Sequence, residues 1–131
     1  MHARDKYFST LVRAKADAHI AGTPHVEVIC VDTTLDARAA TLIKSDFKRM
    51  VADGRAQAVI DLSNVATIDS TGLGSLVCAL RAVREIGGSV RLVSSGGRVL
   101  QMLEKTALTR VFKVHASVGA ALAAFAPATA A

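Results

Sequence analysis

Apolar residues return along this chain at two spacings, and the switches between them predict the order of elements. From Leu35 to Ala52, the residues Ala39, Ile43, Phe47, Met50 and Val51 recur every three or four positions and Gly54 follows as a stop, which predicts an amphipathic helix. From Ser70 to Ile86, a second stripe of Leu73, Leu76, Val77, Leu80 and Val83 is closed by Gly87-Gly88. "GRVLQMLEKTAL" predicts a third helix with Val99, Met102 and Leu103 turned inward, and "SVGAALAAF" a last one with Ser117 as its N-cap. Between these lie short runs of strand type: "QAVIDL", continuous and apolar as a buried strand is and followed by the turn Ser63-Asn64, then "SVRLVS" and "RVFKV". Upstream, two β-like runs flank Gly22-Thr23-Pro24, with Val26, Val28 and Cys30 alternating against Glu27 and Ile29, which predicts a hairpin.

A hairpin followed by alternating helices and strands predicts a layered α/β domain: a mixed, largely parallel sheet of about 4–5 strands with about 4 helices. The chain's 131 residues suit one such domain, with no internal repeat and no interior linker. Its expected limits are 15–125. Residues 1–14, basic and weakly patterned, read as an arm or short helix, and 126–131 as a disordered tail.

Composition narrows the functional classes. Apolar residues make up 51% and aromatics 4%, which describes an aliphatic globular core. The net charge of +5 comes from Lys and Arg scattered along the sequence, with no basic run interleaved with aromatics, so direct nucleic-acid binding is not expected. The N-terminus lacks the pattern of a secretory signal, and the Ala-rich C-terminal segment is shorter than the roughly 20 apolar residues of a membrane span and carries Pro127, so no membrane contact is expected. Cys30 and Cys78 lie in aliphatic runs and read as small buried hydrophobes, consistent with a reducing, cytoplasmic setting.

Candidate chemistry gathers in "NVATIDSTGLGSLVCAL", residues 64–80, where two hydroxyls and two glycines open the second helix. As a nucleotide fingerprint the segment is deficient, because Val77 stands where a third small residue belongs and the next strand ends in Ser94-Ser95 instead of an acidic residue. No GxxxxGKS/T loop is present. As a nucleophile elbow it also fails, since Ile68 occupies the place of the required glycine and the four histidines, at 2, 19, 25 and 115, form no triad motif. No spacing suits a metal, so no catalytic residue, metal or cofactor is expected. A purely structural reading makes Asp69 or Ser70 the N-cap, but leaves unexplained two glycines that each forgo up to about 1 kcal/mol of helix stability. They imply close approach of backbone, either to the domain's own sheet or to a docking partner.

The stretch "VIDLSNVATIDSTGLGSLVCALRAVREIGGSVRLV" closely resembles the core of STAS domains, in particular the small stand-alone anti-sigma factor antagonists (anti-anti-sigma factors) of bacteria, whose hallmark is Asp-Ser-Ser/Thr-Gly-Leu-Gly. The likeness runs from about residue 17 to residue 125, with "LDARAATLIKSDF" similar to the family's first helix and "RVLQMLEKTALTRVFKVHASVGAAL" to its final helix-strand-helix.

The resemblance implies a binding module, not a catalyst. Ser70 would be phosphorylated by an anti-sigma factor with serine kinase activity, and Asp36, Asp69, Ser70, Thr71, Gly72, Leu73 and Gly74 would contact that partner. Unphosphorylated, the protein would bind the anti-sigma factor and release a sigma factor; a PP2C-type phosphatase would restore that state. One departure stands out: where the family has Gly-x-Leu/Ile-Asp, this chain has Thr33-Thr34-Leu35-Asp36. STAS-like domains also serve as scaffolds of stress-signalling complexes or subunits of lipid-transport ATPases without a phospho-switch. A small-molecule or nucleotide sensor is the third reading.

Overall fold

A computed structural model describes residues 12–18, 26–31, 34–55 and 57–125. Within them, seven strands and four helices follow one another as β1 (Val12–Ala18), β2 (Val26–Val31), β3 (Thr34–Leu35), α1 (Ala37–Ala52), β4 (Gln57–Asp61), β5 (Thr67–Ile68), α2 (Ser70–Arg84), β6 (Ser89–Val93), α3 (Gly97–Lys105), β7 (Lys113–His115) and α4 (Val118–Ala123), with a 3-10 turn at Leu108–Arg110. β1 pairs antiparallel with β2, as the hairpin pattern predicts, although the turn around Gly22-Thr23-Pro24 lies outside the described residues. β2, β4, β6 and β7 then run parallel in the sheet order β1-β2-β4-β6-β7. β1 opens at Val12, within the segment read as an arm; the remaining expectations for residues 1–11 and 126–131 lie outside the described residues.

Both faces of the sheet are covered, which is why its central strands are apolar on both sides. Parallel register sets Ile29, Ile60, Leu92 and Val114 in one row across four strands, facing α1 and α2. Against that row pack Ile43, Phe47 and Met50 of α1 and Leu76, Leu80 and Val83 of α2, each burial worth roughly 1.5–3 kcal/mol. On the opposite face Val26, Val59 and Val93 meet Ala121 of the short α4. Glu27 points to the α1 side and is buried, held by Arg49 at 3.4 Å and Arg55 at 3.3 Å, which ties the strand to α1 and the turn after it.

Helix ends follow the expected chemistry. Gly54 adopts φ +77°, so that Arg55 N–H reaches the Met50 carbonyl at 2.9 Å and closes α1. Gly87, at φ +82°, does the same for α2, and the Ser117 hydroxyl caps α4 by accepting from Ala120 N–H at 3.1 Å.

Four sequence expectations are corrected. The third helix stops at Lys105, because the Thr106 hydroxyl turns back onto the Met102 carbonyl at 2.8 Å and Ala107 swings to φ +62°. "RVFKV" is therefore not one strand: its start completes the 3-10 turn, Phe112 is buried, and only Lys113–His115 pairs with β6. Met102 is exposed rather than inward, since the short helix turns only Val99 and Leu103 to the core. Cys78 is exposed as well: α2 buries 72, 75, 76, 79, 80 and 83, and position 78 falls on the opposite stripe with Ser70, Gly74 and Arg81.

Candidate functional site

The site is built by two strands too short for their sequence to announce. β3 and β5 form a separate two-stranded parallel sheet, with Thr34 beside Thr67 and Leu35 beside Ile68. The residues that follow, Asp36 and Asp69, both leave the helical conformation and cap α1 and α2. Asp36 Oδ1 accepts from Arg38 N–H at 3.1 Å and Ala39 N–H at 3.2 Å; Asp69 Oδ1 accepts from Gly72 N–H at 2.8 Å. Asp69 N–H in turn donates to the Leu35 carbonyl at 3.2 Å, locking the two starts together. Each cap is worth about 1 kcal/mol, and each carboxylate sits at the positive end of a helix dipole.

The outcome is a rim at the carboxyl end of the parallel strands, with two helix N-termini side by side. Ser70 and Thr71 occupy the first two positions of α2 and are exposed. The Ser70 hydroxyl makes no hydrogen bond among the described residues, while Thr34 and Thr67 share one at 3.3 Å nearby. Ser75, the third hydroxyl of the segment, is fully buried and donates to the Gly72 carbonyl at 2.6 Å.

The two glycines divide. Gly72 is buried against β3: a Cβ there would overlap the Leu35 carbonyl oxygen and come within 2.8 Å of Leu35 Cγ. Its absence of a side chain serves packing of α2 on the rim strands. Gly74 faces open space, with nothing within 4 Å of a Cβ position. Leu73 and Asp36 are half-buried, so the accessible surface is that of Asp69, Ser70, Thr71 and Gly74 with these two at its edge.

Sequence reasoning overlooked Thr34 and Thr67. The visible signal was the substitution of threonine in the turn before Asp36; Thr33 itself lies outside the described residues. Among the described residues, no three His, Cys, Asp or Glu side chains converge as metal ligands. His115, the one described histidine, ends β7 with its ring 3.3 Å from the Arg91 guanidinium, and its pKa is lowered, first by burial and then by Arg91 and Lys113. No described helix is long and apolar enough to cross a membrane.

Comparison with known proteins agrees with this architecture. The STAS domain family profile matches residues 17–121. A candidate anti-sigma factor antagonist of Thermotoga neapolitana is 37% identical over 81 residues, spanning 58% of this chain and 72% of that protein. The crystal structure of a candidate anti-sigma factor antagonist from Thermotoga maritima superposes with a TM-score of 0.73 at 26% identity, covering 85% of this chain and 93% of that one. An anti-sigma factor antagonist from Mycobacterium paratuberculosis gives 0.70 at 25% identity, over 86% and 92% of the two chains. The chain thus belongs to the STAS domain family, among its anti-sigma factor antagonists.

Proposed function

We propose that this protein is a phospho-regulated antagonist of an anti-sigma factor. With Ser70 unmodified, the rim of Asp36, Asp69, Ser70, Thr71, Leu73 and Gly74, underlain by Gly72, docks on an anti-sigma factor that is also a serine kinase, and a sigma factor is released. Phosphorylation of Ser70 ends the pairing, and a PP2C-type phosphatase reverses it. The protein acts as substrate and ligand, not as a catalyst.

The observation that carries this reading is the Ser70 hydroxyl: exposed, free of protein hydrogen bonds among the described residues, and seated at the first position of α2, directly after its capping Asp69. A phosphate there adds roughly −1.5 to −2 charges. The helix dipole favours the anion and Asp69 opposes it, so the fold survives modification. A docked partner does not tolerate it, because an unpaired dianion in an interface costs on the order of 2–5 kcal/mol.

The test is calorimetry at fixed salt with the cognate anti-sigma factor. Ser70→Asp and Ser70→Glu should bind at least about tenfold more weakly than wild type, or roughly 1.4 kcal/mol. Ser70→Ala should bind normally and resist inactivation by the kinase and ATP, and phosphopeptide mapping should place the group on Ser70 and not Thr71. Acidic variants that bind like wild type would remove the switch and leave the scaffold or transporter-subunit role.

A further inference from the structure

The scattered basic residues of the sequence become a cluster in three dimensions, far from Ser70. Two adjoining depressions of about 370 and 270 Å³ share Leu80, Arg84 and Val111 and form one groove between the C-terminal half of α2, the 3-10 turn and the starts of β6 and β7. Its floor is apolar: Val77, Leu80 and Val111, the last 44% exposed. Its walls carry Arg81, Arg84, Arg110 and Lys113 against a single acid, Glu85. None of these four cations makes an ion pair among the described residues.

Arg81 and Arg84 lie in the last turn of α2, where they complement the helix dipole. That role does not extend to Arg110 and Lys113, which come from other elements and raise the positive potential at the same edge.

We propose that this groove is a second docking site, for an acidic amphipathic segment of a protein partner, which lays apolar side chains on Leu80 and Val111 and carboxylates against the arginine walls. Charge complementarity selects the occupant's sign. The apolar floor selects an amphipathic protein segment over nucleic acid, since no aromatic side chain lines the groove for bases to stack on. The site also works independently of the switch: α2 rises about 1.5 Å per residue, so Arg84 stands about 20 Å from Ser70, beyond two Debye lengths of about 8 Å.

Fluorescence anisotropy on the full chain tests this, at about 0.15 M salt. The probe is a fluorescein-labelled synthetic peptide of alternating Glu and Leu pairs, run beside a peptide of equal charge with serine for leucine and a single-stranded oligonucleotide of equal charge. The Glu-Leu peptide should bind tightest. The double reversal Arg84→Glu with Arg110→Glu should weaken it at least about tenfold, and Val111→Ser several-fold, with circular dichroism unchanged in these surface variants. Ser70→Asp should leave peptide binding as in wild type, so failure here is separable from failure of the switch. Unchanged binding in the double reversal, equal binding of the serine peptide, tighter binding of the oligonucleotide, or loss of binding in Ser70→Asp would each overturn the proposal.

Discussion

Gly72 and Gly74 sit in one helical turn with opposite surroundings, and the difference separates stability from recognition. At Gly72 a methyl group meets the backbone of β3, which cannot rotate away as a side chain can. Gly72→Ala should therefore cost at least about 2 kcal/mol in urea unfolding, the scale of overpacked cores. At Gly74 an added methyl meets nothing, and the helix recovers what glycine gives up. Gly74→Ala should raise stability by up to about 1 kcal/mol, a few degrees in Tm. If bare backbone at this position lets the anti-sigma factor approach, the same variant should bind that partner less well than wild type. A Gly74→Ala protein that is both stabler and undiminished in binding would remove Gly74 from the proposed docking surface, leaving Asp36, Asp69, Ser70, Thr71 and Leu73.

Single elements bear their own costs. The link from α3 to β7 depends on Ala107, the one described non-glycine residue at positive φ, 62°. Such a conformation costs an L-residue of this kind roughly 1 kcal/mol relative to glycine. Ala107→Gly should accordingly stabilise the domain by up to about 1 kcal/mol in thermal unfolding; a loss of stability would mean that the packing of the methyl outweighs the backbone strain. This bend is also where pattern reading failed. "RVFKV" has the β-branched and aromatic content of a strand, yet Phe112 is drawn into the core and only the last part of the run reaches the edge of β6. Cys78 and Met102 show a related failure. Both are apolar letters within apolar runs; the helical period places Cys78 on the outer face, while Met102 shares the spacing of Val99 and Leu103 yet lies at the edge of their stripe and stays exposed. Asp69 was legible, as one of two N-cap candidates with Ser70, because capping is a local chemical need satisfied within three residues, whereas Asp36 was marked only through the family resemblance and its cap came from the structure.

At the scale of the molecule, charges brought together by the sheet set a pH dependence. The His115 pKa lies below its usual 6.5 because burial and the neighbouring Arg91 and Lys113 disfavour the imidazolium. The unfolded chain therefore binds this proton more readily than the folded one, so stability is whole above 6.5 and falls as pH drops through the range just beneath it. His115→Gln should lose less stability than wild type between about pH 7.5 and 5.5, measured by urea unfolding at each pH. Equal losses in both proteins would show that other groups govern the acid limb. The sequence by itself determined the alternation of helix and strand, a cap at Asp69 or Ser70, the glycine stops and the motif of residues 69–74, because each is written in residues a few positions apart. Only the tertiary structure decided that β3 and β5 pair across more than thirty residues to set two helix starts side by side, that Gly72 packs while Gly74 stays open, and that Arg84, Arg110 and Lys113 share one groove. Those outcomes depend on which surfaces meet when the helices fold down onto the sheet, and no local spacing encodes that.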